Sequence, residues 1–220
     1  MLSELSIIIP LARSEPAISA LLALLAEHCS AAQVLCVQAG LLEDRRCQIG
    51  REQWLTCEPG RALQQNLGAR HATGRWLWFL HADSLFDASA VLALAEFLKL
   101  APRALGYFEL RFGADGPVLT RVNAWAANWR SHIFGLPFGD QGFVLERTVF
   151  ERLGGFDESA PFGEDHLLVW TAKRAGIRTR AIGAALTTSA RKYKERGWLR
   201  TTAQHFRGTW LQAWQQWRKC

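Results

Sequence analysis

The sequence predicts an α/β protein built on a mostly parallel sheet, and three observations lead there. Short apolar runs recur along the chain, rich in β-branched and aromatic residues, as in Ile7-Ile8-Ile9 and Trp76-Leu77-Trp78-Phe79-Leu80. Longer stretches with apolar residues at helical spacing lie between them. Glycine and proline punctuate the joins. Strands alternating with helices bury both faces of a parallel sheet, which is why the runs are apolar throughout. At 220 residues the chain can bury one good core, and one domain with an extension is favoured over two.

Leu5 to Ile9, closed by Pro10, reads as the first strand. Pro16 suits the first turn of a helix running to about His28. Gln33 to Val37 and Gln53 to Cys57 follow as strands, with a charged loop holding an irregular helical piece from Gly40 to Gly50. Pro59-Gly60 precedes a helix from about Arg61 to Ala72, which Thr73-Gly74 ends. The aromatic strand from Trp76 comes next and stops abruptly at His81 and Asp83. Asp87 to Leu100 is apolar at helical spacing. Leu105 to Phe112 alternates and reads as a more exposed strand, antiparallel to its neighbours. Val118 to Phe134 is an aromatic helix with Trp125 and Trp129 one turn apart. Gly142 to Leu145 is strand-like, Thr148 to Leu153 a short helix, Glu164 to Ala175 a helix ended by Gly176, and Ile177 to Ile182 a final short strand. From Glu195 onward the tail is mainly helical.

The chain carries a net charge of +6, but it is unevenly spread. Thr187 to Cys220 holds eight Lys/Arg against one Glu, which leaves −1 for all that precedes it. The basic character therefore belongs to the tail and suits an anionic ligand, a membrane surface or a solvated basic face. No nucleic-acid-binding motif accompanies it, so nucleic acid is not an expected partner. Five cysteines with no C-x-x-C pair fit neither a disulfide framework nor a zinc knuckle and suit a reducing cytoplasm. The longest apolar stretch, Ala17 to Ala26, is about half the ~20 residues that a bilayer span needs. A basic region followed by an apolar run is not seen at the N-terminus, so no secretory leader is expected.

Three polar clusters sit at element boundaries, where function concentrates. His81 and Asp83 follow a buried strand, and open α/β sheets bind ligands beyond the carboxyl ends of their strands. Asp83 is either a ligand for Mg²⁺ or Mn²⁺, which need only one or two carboxylates when phosphates complete the shell, or a cap for the next helix. Gly139-Asp140-Gln141-Gly142 is either a tight turn or a sugar-contacting loop whose glycines permit close approach. Glu164 and Asp165 begin a helix, where acidic residues oppose the helix dipole; the same position can aim a general base into a cleft.

In their order and spacing these segments resemble the family 2 glycosyltransferases, which have the GT-A, Rossmann-like fold. The resemblance covers nearly the whole chain. Ser6-Ile7-Ile8-Ile9-Pro10 with Glu15 is similar to that family's first strand and following acid. The helix from Gly60 to Ala69, with Arg61, Gln64 and Asn66, is similar to its nucleotide-side helix. Phe79-Leu80-His81-Ala82-Asp83 stands where the family has D-x-D, and Gly154-Gly155-Phe156-Asp157 with Gly163-Glu164-Asp165 resembles its acceptor-side signature. A bacterial branch of small, single-domain members shares F-L-H-A-D, G-D-Q-G and a late T-S-x-R, here Thr188-Ser189-Ala190-Arg191.

The resemblance implies inverting transfer of a sugar from a nucleotide-diphosphate sugar to a hydroxyl acceptor. It implies Asp165 as base, Asp83 as ligand of Mn²⁺ or Mg²⁺, and Pro10, Glu15, Arg61, Gln64, Asn66, His81 and Arg191 on the donor side. Asp140, Gln141 and Glu164 would face the acceptor. Two departures stand out: His81 replaces the first acid of D-x-D, and Val37-Gln38-Ala39-Gly40 replaces the aspartate-rich turn that contacts the base. The second motivates an alternative, a non-catalytic sugar-nucleotide-binding module on the same fold. A sugar nucleotidyltransferase would want a glycine-rich basic loop after the first strand; Leu11 to Pro16 has one arginine and no glycine.

The expected organisation is a domain over residues 1–190 and a basic, Trp-rich helical tail over 191–220. In the tail Phe206, Trp210, Trp214 and Trp217 recur at helical spacing beside Arg207, Arg218 and Lys219. This pattern suits an interfacial helix on the inner face of a membrane, reaching a lipid-linked acceptor, or packing against the domain or a second copy in a homodimer.

Overall fold

The computed structural model describes residues 1–12, 18–40, 51–100 and 103–203. Glu15, most of the charged loop expected over Gly40 to Gly50, and the tail from residue 204 lie outside the described residues. The strands are β1 (Leu5–Leu11), β2 (Gln33–Ala39), β3 (Gln53–Cys57), β4 (Trp76–Phe79), β5 (Ala104–Phe112), β6 (Phe143–Glu146) and β7 (Arg178–Thr188). The helices are α1 (Ile18–His28), α2 (Arg61–His71), α3 (Ala88–Lys99), α4 (Thr120–Phe134), α5 (Arg147–Arg152), α6 (Glu164–Arg174) and α7 (Arg191–Arg196). The strands form one seven-stranded mixed sheet in the order β3-β2-β1-β4-β6-β5-β7, flanked by helices, an α/β Rossmann-like fold.

The pairing explains where the site sits. β3, β2, β1 and β4 run parallel, and β6 inserts antiparallel between β4 and β5. The expected antiparallel β5 is antiparallel to β6 only; it pairs with β7 in parallel. The direction of pairing therefore reverses between β4 and β6, and β4 is the strand that leads into His81 and Asp83.

Alternation along β1 and β4 feeds two cores. Ile7, Ile9, Trp76 and Trp78 pack with α1 and α3 on one face; Ile8, Leu77 and Phe79 pack with α2, α5 and α6 on the other. Trp78 stacks on Phe108 at 5.3 Å between ring centroids, and Phe79 meets Phe156 edge-on at 5.0 Å. Such pairs contribute about 0.5–1.5 kcal/mol each beyond the area they bury. Cys29, Cys36 and Cys57 are free thiols, and burial pushes Cys29 up to about 12, so that thiol is inert at neutral pH.

β2 runs on to Ala39 past the expected Val37, and β1 and β7 also outrun their expected ends, for physical reasons. β1 continues through Pro10 to Leu11, where proline removes a donor but not a needed one. β4 pairs with β1 only as far as Ile8, while Pro10 and Leu11 stay in register with Val37 and Gln38. β7 runs to Thr188 instead of ending at Ile182, because Gly183, at φ 86°, lies at an irregularity between the Tyr107 and Glu109 pairings and the strand then resumes. Its resumption delivers Thr187 and Thr188 to the site.

Beyond residue 190 the described chain stays on the α/β unit. Tyr193 and Thr201 are buried, and Asn123 of α4 accepts from Trp198 Nε1 at 2.9 Å and donates to Thr202 Oγ1 at 2.9 Å. No helix among the described residues is long and apolar enough to cross a membrane.

α2 approaches the sheet through Gly68, where an added Cβ would lie 2.5 Å from Ile8 Cγ2 and 3.3 Å from Val37 Cγ2. Ile8 is wholly buried and cannot yield. Gly68→Ala is expected to lower unfolding free energy by about 1–3 kcal/mol in urea titration, the usual cost of overpacking. An unchanged midpoint would show that α2 does not pack this closely.

Candidate active site

β4 hands the chain to a tight turn, His81 to Ser84, closed by Ser84 N donating to His81 O at 3.1 Å. Asp83 does not cap the next helix. That role belongs to Asp87, whose carboxylate accepts from Ala90 N at 3.1 Å. Asp83 instead accepts from Thr188 Oγ1 at 3.2 Å, at the end of β7. Leu85 and Thr187 clasp the turn to β7 through two backbone hydrogen bonds of 2.7 and 2.8 Å. The two ends meet because β7 outruns its expected length.

The other clusters converge on the same turn. Gly139 N donates to Asp165 Oδ2 at 2.6 Å, tying the Gly139–Gln141 turn to the start of α6. A Cβ on Gly139 would lie 2.9 Å from Asp165 Oδ2 and 3.3 Å from His81 Nε2, so both side chains crowd one point above this glycine. Asp165 Oδ1 accepts from His166 N at 2.8 Å, which fixes the carboxylate from its second side. Gly163 enters α6 at φ 69°, a left-handed conformation that suits glycine, and it aims Glu164 and Asp165 inward.

Electrostatics follow from this crowding. Burial pushes the Asp140 carboxyl up to about 6, with the Asp165 charge adding to the effect and Arg130 opposing it. Asp140 Oδ1 is buried without a hydrogen-bond partner. Burial and the Arg61 charge hold His81 down to about 4, so its imidazole is neutral at pH 7; its Nε2 is likewise buried and unpartnered. Burial lowers Arg130, whose guanidinium lies 3.6 Å from the Phe138 ring centroid and whose Nε donates to Leu136 O at 2.8 Å. Glu164 is pushed up by burial and by Asp165; its Oε1 is 3.6 Å from Arg61 Nε. These last two residues share a cleft of about 510 Å³ between the start of α2 and residues 158–163.

The structure brings together His81, Asp83, Asp140 and Asp165, with Arg61 and Glu164 on one side. Several expected contact residues take other roles. Gln64 donates to Leu11 O at 2.7 Å and Val37 O at 2.6 Å, clamping the ends of β1 and β2. Asn66 donates to Phe156 O and accepts from Phe156 N, at 2.8 and 2.9 Å, so both ends of its amide hold the Phe156 loop rather than a donor. Gln141 is fully buried; it accepts from Ser131 Oγ at 2.8 Å and donates to Phe108 O at 3.1 Å, so its amide braces the turn instead of facing an acceptor. Arg191 is half-exposed with Nε 3.7 Å from Glu195 Oε1, and it is the neighbouring Lys192 whose charge acts on His81. Pro10 lies one residue before the end of β1, beside Val37, and Gln38 is buried near the end of β2.

Arg130 and Thr188 are the site residues to which the sequence reading gave no role of their own, whereas Lys192, beside Arg191 after the last strand, was a candidate to close over phosphates. Thr188 sat within a quoted motif, but Arg130 lies mid-helix with no local pattern to mark it. Only the fold carries it to Asp140 and Asp165.

The donor set bears on a cation. Asp83 retains an oxygen beyond the one bonded to Thr188, and His81 offers a neutral, unpartnered nitrogen. Among the described residues no group of three His, Cys, Asp or Glu could hold a metal ion alone. This set therefore fits a Mg²⁺ or Mn²⁺ ion completed by phosphate oxygens and not a metal caged by protein.

No protein-family model and no curated protein matches the chain. Solved structures do. S. aureus TarS aligns with a TM-score of 0.64 at 18% identity, over 86% of this chain and 37% of TarS. The 1–349 fragment of S. aureus TarS aligns at 0.64 and 16% identity, over 84% of this chain and 60% of the fragment. Its complex with UDP gives 0.64 and 18% over the same shares, 84% and 60%. The likeness is one of fold. This chain spans 37% of TarS and 60% of its fragment, less than two thirds of each.

Asp140, half-buried with its Oδ1 shielded from solvent, makes the site pH-sensitive. Its folded value of about 6 lies above the ordinary carboxylate value of 3.8, so the folded state binds the extra proton between them. Its contribution to stability is full below pH 4 and is lost as pH rises through 6. Asp140→Asn is expected to be more stable than the parent at pH 7.5 by about 1 kcal/mol, with the gain vanishing near pH 4, by urea unfolding in EDTA. A pH-independent difference would remove Asp140 from the buried cluster.

Proposed function

We propose that this chain is a glycosyltransferase that moves a sugar, with inversion, from a nucleotide-diphosphate sugar to a hydroxyl acceptor. The observation that carries the reading is the convergence of His81, Asp83, Asp140 and Asp165 at the strand end where pairing reverses. Strand order also reverses there, between β1 and β4, and ligands of open α/β sheets bind at such a switch point. The glycosyltransferase fold shared with TarS, and UDP in one of those structures, support a nucleotide-sugar donor.

Each residue's part follows from its chemistry. Asp165 takes the acceptor hydroxyl proton as the oxygen attacks the anomeric carbon and the bond to the pyrophosphate breaks. Its carboxylate is fixed by Gly139 N and His166 N, and each oxygen keeps acceptor capacity for that proton. Asp83 and His81 would hold Mg²⁺ or Mn²⁺ with the donor phosphates. A cation there supplies neutralisation of the charge that develops on the leaving group. Arg61 and Lys192 add fixed positive charge around His81. Asp140 and Glu164, both pushed up by burial, would hydrogen-bond acceptor hydroxyls through their carboxyl oxygens.

A second reading, a sugar-nucleotide-binding module without turnover, is favoured by one observation. Val37-Gln38-Ala39-Gly40 has no acid at the end of β2, where the resemblance would put a base-contacting aspartate.

Two substitutions separate these roles. Asp83→Asn is expected to weaken Mn²⁺-dependent binding of a nucleoside diphosphate by tenfold or more in calorimetry, about the loss of one charged ligand; unchanged affinity would remove Asp83 from the cation. Asp165→Asn is expected to abolish turnover, by 10²-fold or more, while donor affinity is retained. Full turnover in that variant would put the base elsewhere.

A further inference from the structure

α4 leaves a hydrophobic face unburied. Only Thr120, Ala124 and Ser131 of this fifteen-residue helix are fully buried. Val122, Trp125, Trp129 and Ile133 recur every three or four residues and so share one face. They are 54%, 66%, 49% and 61% exposed. Val118 and Phe134 extend the strip at either end, and Phe134 packs on Trp129 at 5.5 Å. Single exposed apolar residues are ordinary, but a continuous row with two tryptophans marks an interaction surface.

Charge identifies the partner. α4 contains no acidic residue. Arg121 is exposed on the helix, and the chain from Arg191 to Thr202 lies alongside it, held by Asn123 contacts to Tyr193, Trp198 and Thr202. That flank exposes Lys192, Lys194 and Arg200, together with Leu199 at 75%. The flank's one acid, Glu195, pairs with Arg191, which leaves Lys192, Lys194 and Arg200 in excess; an apolar row of tryptophan, isoleucine and valine beside such a cationic flank is the pattern of a helix lying in a lipid interface. A second copy meeting the same face about a two-fold axis would set like charges against one another, whereas an anionic surface satisfies them.

We propose that α4 and its basic flank form a docking face for an anionic lipid surface. Trp125, Trp129 and Ile133 enter the boundary between headgroups and acyl chains, and Arg121, Lys194 and Arg200 meet the headgroup charges. The same helix carries Arg130 into the carboxylate cluster, and Lys192 acts on His81, so the docking face borders the site. The inference stands on exposure and charge alone and does not depend on sugar transfer.

The test is co-sedimentation of the full chain with vesicles of phosphatidylcholine alone and with an added anionic share of phosphatidylglycerol. The full chain is expected to sediment with the anionic vesicles and to be released by salt. Trp125→Ser with Trp129→Ser is expected to reduce the bound fraction about tenfold or more, and Arg200→Ala about fivefold. Thermal midpoints should be unchanged, since these side chains are exposed. Equal binding to neutral vesicles, no binding to anionic ones, or full binding by the double variant would each overturn the proposal. So would a concentration-dependent dimer in light scattering that the double variant dissolves.

Discussion

The hydrogen bond from Gly139 N to Asp165 Oδ2, at 2.6 Å, is the contact on which the site depends. It joins the turn before β6 to the first turn of α6, two elements on different edges of the β4 strand end. It also explains why the residue is glycine: a side chain would strike both Asp165 and His81. Glycine permits the crowding, and crowding sets the charge states. Asp140 rises and His81 falls because burial removes the water that would stabilise their charged forms.

This crowding is costly, and the fold offsets it with fixed partners. Arg130 is held over Phe138 and acts on Asp140 and Asp165, while Arg61 lies beside Glu164. Gln141 and Asn66, buried amides with bonds at both ends, brace the loops that carry these groups. Two polar atoms nonetheless remain unpartnered at the centre: His81 Nε2 and Asp140 Oδ1. A buried polar atom without a partner typically costs about 1–3 kcal/mol, and its persistence at a cleft is the physical mark of a place for a ligand.

Much of the architecture was legible in the sequence because it rests on local rules. Apolar runs between turn residues located all seven strands, and Asp87 and Gly176 bounded their helices as capping chemistry requires. Legibility failed where pairing decided the outcome. Pro10 and Gly183 read as strand ends, yet β1 continued because β4 pairs with it only as far as Ile8, and β7 resumed after the irregularity at Gly183. At the site, Asp83, Asp140 and Asp165 were recognisable at element boundaries. Their association with Arg130 was not, since that residue gains meaning only from α4 crossing near the β6 turn. Nor could sequence distinguish an amide that contacts a ligand from one that clamps a loop, as Gln64, Asn66 and Gln141 illustrate.

The central claim is that this strand end binds a nucleoside diphosphate through a cation shared with Asp83. It is tested most directly by thermal shift of the unmodified chain against a panel of nucleoside diphosphates and their sugars, with Mn²⁺, with Mg²⁺ and with EDTA. A compound present at a hundred times its dissociation constant stabilises the fold by about 2.7 kcal/mol, a shift of roughly 5 °C or more. The account predicts such a shift for at least one nucleotide with the cation and its loss in EDTA. No shift across the panel, or one indifferent to EDTA, would contradict it.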